Sequence, residues 1–332
     1  MVGVDDRCID SSKEWLMYRL TAKVTIRGSR LWVLRHVTEV EIVRDTEQLT
    51  DVCRLTMPKL ITWDGKKEIP VRRGDAITVE LGYDDNLQVA FSGYVREVGF
   101  KRPVVLTCED EMYRLKGMAT NKKAYRNVDI ETLLKDQGLT NVRVFGEQRL
   151  GQFRVTDNTV AALLARLKQS GVRSFFRQED GKAVLYCGVI FDREDSRCQV
   201  LETGRNIIAD TLKQQKADDM RINLKAVSLM PNGKKVKIEL GDKDGERRTV
   251  HAYNKSEAEL KAWAQQELDR LKQDGLTGTV TTFGYRLLEK LDTVGMKIEG
   301  VKMGRYQVKK NTIKYGQGGF RQEITLGERI SL

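Results

Sequence analysis

Two histidines, His36 and His251, and five cysteines, Cys8, Cys53, Cys108, Cys187 and Cys198, make up the chain's stock of soft metal ligands. The cysteines are odd in number, widely spaced and without a C-x-x-C pair, so buried free thiols are expected rather than a zinc site or redox centre. The sequence contains no G-x-x-x-x-G-K-S/T, no H-E-x-x-H and no G-x-S-x-G, which removes the common signatures of a phosphate loop, a zinc protease and a serine hydrolase. Gly316, Gly318 and Gly319 lie between two strand patterns with no helix after them, and read as a hairpin turn. Asp242-Lys243-Asp244-Gly245 opens like a calcium loop but lacks the remaining acidic ligands and the distal Glu, so it also reads as a turn. Asn254-Lys255-Ser256 matches a glycosylation acceptor and is better read as a helix start. A glycosidase needs only two carboxylates, and the chain carries 47 Asp+Glu, which keeps a cell-wall hydrolase as an alternative. No catalytic, cofactor or metal residue is assigned, and the chain is expected not to be an enzyme.

The strongest chemical signal is charge. Lys+Arg number 58, giving a formal net charge of +11. Residues 1–120 are balanced at 19 basic and 19 acidic side chains, whereas residues 201–332 hold 25 and 18. From Val301 to Gln322 six basic residues, Lys302, Arg305, Lys309, Lys310, Lys314 and Arg321, occur with no acid between them. Such a run is either a solvated strand face or a contact for nucleic acid or an acidic protein, because a patch of one sign concentrates a partner of the other. These six are the candidate partner contacts. Aromatic residues are only 7% and are not interleaved with the run at stacking spacing, which weighs against a nucleic-acid-binding β-barrel without removing it.

The elements that would carry these residues are mostly strands. Leu20, Ala22, Val24 and Ile26 alternate with Arg19, Thr21, Lys23 and Thr25, the period of two of a half-buried strand. The habit recurs in 31–43, 53–58, 76–81, 89–95 and 104–108, with turn clusters between, and predicts a small β-barrel over 1–118. Residues 119–203 read as an α+β module. Asp129 and Asn158 open its helices, Val160, Leu163, Leu164 and Leu167 form an apolar stripe, and Asp180-Gly181 turns a hairpin. Residues 204–250 and 284–332 read as a second, similar barrel, split by a helix-bearing insertion over 251–283. There Ser256 and Glu259 have capping-box spacing, and Leu260, Trp263, Ala264, Leu268 and Leu271 line one face. The fold class expected is therefore α+β, mainly β. No apolar run approaches the roughly 20 residues of a membrane helix, and residues 1–15 are too polar for a signal peptide, so the chain is expected to fold in the cytoplasm without inserting into a membrane.

The two β regions echo one another: Gly74 to Val79 leads to Gly93 to Val98 and closes at Val105 to Glu109, as Leu291 to Ile298 leads to Gly304 to Val308 and closes at Arg321 to Gly327. The chain resembles baseplate hub proteins of contractile phage tails, the late control protein D family, which includes the Mu-type phage tail protein and the hub part of type VI secretion spikes. Three stretches carry the resemblance: Val40 to Leu49 running on to Leu55-Thr56-Met57-Pro58; Phe91-Ser92-Gly93-Tyr94-Val95; and Thr279 to Gly284 followed by Tyr315 to Gly327. None is a catalytic signature. The resemblance implies a homotrimeric ring in the virion tail baseplate, assembled in the bacterial host cytoplasm. Its partners would be the tail tube protein, the central spike protein and other baseplate proteins, and DNA would pass through the channel without specific binding.

Overall fold

The computed structural model describes residues 8–9, 19–66, 68–191, 198–301 and 303–330. It is mainly β with a minority of helix, as the alternating patterns require. The chain divides into two compact units, one of residues 1–113, 195–212 and 278–332, the other of residues 114–194 and 213–277.

The first unit is built on one fourteen-stranded sheet. Strands Glu39–Asp45, Val52–Thr56, Val105–Glu109, Asn86–Val98, Ala76–Tyr83, Leu20–Arg27 and Leu31–Leu34 lie side by side in that order, each antiparallel to the next. Their inward positions, among them Val24, Ile26, Val40, Ile42, Leu55, Val79, Val95 and Leu106, pack into one core. The second β region is continuous with the first. Strand Gly304–Gly316 pairs through Lys310–Tyr315 with Glu39–Asp45, and pairs along its length with Gly319–Ile330. Ile313, Tyr315 and Phe320 thereby join the same core. Both halves of the echo are three-strand antiparallel meanders: Ala76–Tyr83, Asn86–Val98 and Val105–Glu109 in one, Thr293–Lys297, Gly304–Gly316 and Gly319–Ile330 in the other. Gly93 has a steric reason, since a Cβ there would stand 2.1 Å from the carbonyl oxygen of Glu109.

The second unit holds several small sheets. Asp129 caps helix Ile130–Asp136 by accepting the Thr132 N–H, and Asp180 and Gly181 turn a hairpin at positive φ, both as expected. The cap of helix Val160–Gln169 is Thr159 rather than Asn158, its hydroxyl accepting the Ala162 N–H. Segment 204–250, expected to serve a second barrel, is divided: 204–212 belongs to the first unit, and 213–250 to the second. In the second unit Lys235–Gly241, Ile222–Leu229 and Glu246–Tyr253 form a separate three-stranded sheet. The physical reason is the helix Glu257–Leu271, whose buried Leu260, Ala264 and Leu268 need an apolar surface and find it in Ile222, Leu224, Ala226 and Ala252. Its N-terminus carries the expected capping box of Ser256 and Glu259.

The thiols depart in part from expectation. Cys53, Cys108 and Cys187 are free and buried, whereas Cys198 is disulfide-bonded. No helix among the described residues is long and apolar enough to cross a membrane.

Candidate functional site

The acid-free run in the sequence is not acid-free in space. In the antiparallel pairing with Glu39–Asp45, Lys310 stands opposite Asp45 and Lys314 opposite Glu41. Lys314 also reaches across to the next strand, its Nζ 2.7 Å from Glu323 Oε1. That hydrogen bond, with Glu41 and Glu39 nearby, holds the Lys314 ammonium above its usual range. Arg321 is half-buried, its guanidinium 4.9 Å from the centre of the Phe283 ring, and its Nη1 donates to the Phe320 carbonyl at 3.1 Å. Arg305 is half-buried beside Gly295 and Ile330, while Lys309 is exposed and its carbonyl accepts the Thr46 N–H at 3.0 Å. Lys302 lies outside the described residues. Acids brought alongside by strand pairing thus dilute the one-sign patch.

A second constellation is buried, and its members were not singled out in the sequence. It is assembled on the loop between strands Thr279–Phe283 and Thr293–Lys297. Lys290 is wholly buried, with Nζ 2.7 and 2.8 Å from the two carboxylate oxygens of Asp51. The Asp51 N–H donates to Asp110 Oδ2 at 3.0 Å, and the Met112 N–H to Asp110 Oδ1 at 3.0 Å. Burial, and next the Asp51 carboxylate, pushes Asp110 up to about 8 against the opposing pull of Lys290 and the two N–H groups. Beside it, Arg44 Nη1 lies 2.8 Å from Glu289 Oε1, and the same guanidinium donates to the carbonyls of Leu288 and Ala90.

The loop backbone is satisfied in the same way. Leu288 N–H donates to Gln322 Oε1 at 2.9 Å, Leu287 N–H to Gln88 Oε1 at 3.1 Å, and Glu289 N–H to Asp292 Oδ2 at 2.8 Å. Asn311 donates to both the Leu288 carbonyl and Gln322 Oε1, and Gln322 Nε2 to the carbonyls of Phe283 and Arg286. A buried loop must pair its polar groups, and this one does so with these side chains and with strand backbone, the Leu291 N–H donating to the Val308 carbonyl and the Val308 N–H to the Asp292 carbonyl. One signal for this was present: Val40, Ile42 and Arg44 share one strand parity, as do Leu106 and Cys108 with Asp110 just beyond, which places charge on an inward face. The partners on the loop had no such periodicity. What the arrangement does is hold: its charged groups are buried and paired with one another across the loop and the neighbouring strands. Among the described residues, no three His, Cys, Asp or Glu side chains are grouped to hold a metal ion.

The geometry can be set beside known proteins. No family model matches the chain, and no curated protein sequence does. Solved structures do share its fold. A tail protein from Neisseria meningitidis MC58 is 16% identical with a TM-score of 0.60, the match covering 94% of this chain and 97% of that one. The 43 kDa tail protein of prophage MuSo2 from Shewanella oneidensis is 19% identical with a TM-score of 0.56, covering 93% and 98%. The E. coli protein c3393, described as a component of the type VI secretion system, is 12% identical with a TM-score of 0.54, covering 93% and 80%. The chain therefore shares its fold with tail proteins of a bacterium and a prophage and with a component of a type VI secretion system.

Proposed function

We propose that this chain is a structural baseplate hub of a contractile phage tail or a related injection machine, a homotrimeric ring joining a six-fold tail tube to a three-fold spike. The observation that carries the reading is a fold shared end to end, over 93 to 94% of the chain, with tail proteins of a bacterium and a prophage. Symmetry supplies the logic. Each chain holds two similar meanders, so three chains present six comparable units to the tube on one face and three to the spike on the other. Seams between subunits would pair sheet edges that otherwise expose N–H and C=O groups. The role is one of binding and positioning, without catalysis.

The partners are a second and third copy of this chain, the tail tube protein, the central spike protein and other baseplate proteins, with the assembled protein resident in the virion tail baseplate. DNA traverses the channel without being held. A strongly basic lumen would retain phosphates, because each neutralised phosphate adds counterion-release affinity. At least half of Lys302, Arg305, Lys309, Lys310, Lys314 and Arg321 therefore face away from the channel axis, towards solvent or an acidic neighbour. The test is the mass of the assembly in solution together with its image, alone and with the spike. A three-fold ring is the expected result, and a persistent two-fold dimer overturns it. Digestion of purified peptidoglycan by the chain would favour the hydrolase alternative instead.

A further inference from the structure

Lys290 and Asp51 are arranged for more than attraction. Their side chains lie 239 positions apart in sequence and touch in a site where Lys290 is 0% and Asp51 6% exposed. Contacts of 2.7 and 2.8 Å to both oxygens bracket Cγ, which puts Nζ about 3 Å from that carbon, the separation of a near-attack pair. Rotation of the carboxyl about Cβ–Cγ presents its face to the amine. Passage of one proton from Nζ to an Asp51 oxygen along these contacts gives a neutral amine and a neutral acid and leaves no net charge behind. Those neutral forms are the ones that react. Asp110 stands beside them, bonded to the N–H of Asp51 itself, and burial pushes its carboxyl up to about 8, so that it carries a proton at neutral pH.

We propose that Lys290 and Asp51 become joined by a side-chain isopeptide bond, assisted by the neighbouring Asp110 carboxyl. The lone pair of neutral Nζ adds to Asp51 Cγ, forming the N–C bond. The Asp110 acid gives its proton to the departing oxygen, the Cγ–O bond breaks with loss of one water, and the Asp110 carboxylate so formed takes a proton back from Nζ. Nothing is oxidised or reduced, Asp110 ends as it began, and an ion pair in a dry site is replaced by a neutral amide. The bond would tie the loop 284–292, in the second β region, to the start of strand Val52–Thr56, in the first. A link between such distant positions restricts the unfolded chain strongly. The inference rests on the geometry of the first unit and is independent of the hub reading.

The experiment is the intact mass of the purified, denatured full chain after prolonged incubation at neutral pH, followed by proteolysis and fragmentation. The expected result is a chain lighter than its sequence by one water, with a branched peptide linking Asp51 to Lys290. A chain at full mass that releases separate peptides bearing Asp51 and Lys290 overturns the proposal, and this arm needs no variant. Loss of water that persists in Lys290→Arg also overturns it. In Asp110→Asn, with the fold checked by circular dichroism, bond formation should slow at least tenfold. An unchanged rate removes Asp110 from the reaction.

Discussion

The loop 284–292 and the helix Glu257–Leu271 cover sheets by opposite means. The helix lays Leu260, Ala264 and Leu268 on apolar strand residues and keeps its charges outward apart from Glu267, which is buried and paired with Arg270 at 2.6 Å. The loop turns Glu289, Lys290 and Asp292 inward and meets them with Arg44, Asp51, Asn311 and Gln322. The difference teaches what each cover is good for. Apolar burial is non-directional and tolerates small shifts, whereas buried charge demands one geometry and penalises any other. The loop therefore adds a single required geometry to the pairing of Glu39–Asp45 with Gly304–Gly316, through which the two β regions of the first unit meet, and the helix supplies unspecific cohesion within the second unit.

The sharpest way to break this comparison is to remove one partner from the loop. Arg44→Met leaves Glu289 buried without its cation and should cost about 3 to 5 kcal/mol in urea unfolding. Replacing both, as Arg44→Met with Glu289→Leu, should recover a large part of that loss, because no uncompensated charge remains. A single variant that unfolds like wild type would show that the loop is held by packing, as the helix is. On the other side, Leu260→Ala removes a wholly buried side chain and should cost about 3 kcal/mol in the same measurement. Trp263, at the edge of the same stripe and only partly buried, should cost less when changed to Ala.

How each cover could be read from sequence follows from the same contrast. The helix announces itself: its apolar residues recur at helical spacing, and Ser256 and Glu259 mark its start within four positions. The period of two in the strands was equally legible, since alternation is local. The pairing of Glu39–Asp45 with Gly304–Gly316 was not, because nothing local says which distant strand will lie alongside. For that reason the acid-free run from Val301 to Gln322 looked unopposed, although Asp45 and Glu41 stand across from Lys310 and Lys314. The buried cluster was hidden for the same cause. Lys290 lies in the segment Leu288-Glu289-Lys290-Leu291 and Asp51 just before Val52, neither in a pattern that names its partner, and only the fold brings them together.

The two units should also answer pH in opposite senses. In the first, Asp110 is raised from 3.8 to about 8, so the folded chain binds more protons than the unfolded one between those values. Stability from this group therefore falls as pH rises from about 4 towards 8. In the second, burial and then Lys235 push His251 down from 6.5, so the unfolded chain binds more protons and stability is lost as pH falls below about 6.5. Urea midpoints across pH 5 to 8 for Asp110→Asn and His251→Gln, compared with wild type, should each remove one slope. If Asp110→Asn leaves the slope unchanged, Asp110 is ionised in the fold and the electrostatic account of the cluster is wrong.

The smallest effect on stability is expected at the surface strand, where the comparison is sharpened rather than broken. Lys309 is exposed, and Lys310 lies opposite Asp45 on a partly solvated face, in contrast to the sealed pair of Lys290 and Asp51. Exposed charges are screened by water and salt, and a single pair is worth roughly 0 to 1 kcal/mol. Reversal of both, Lys309→Glu with Lys310→Glu, should therefore shift the urea midpoint of the isolated chain only slightly. Its consequence belongs to assembly. If this face meets an acidic neighbour in the baseplate, reversal turns attraction into repulsion across the contact, and co-assembly should fail at low salt and partly recover as salt rises. A double variant that assembles like wild type at low salt would leave the strand as a solvated face whose charges serve the fold alone.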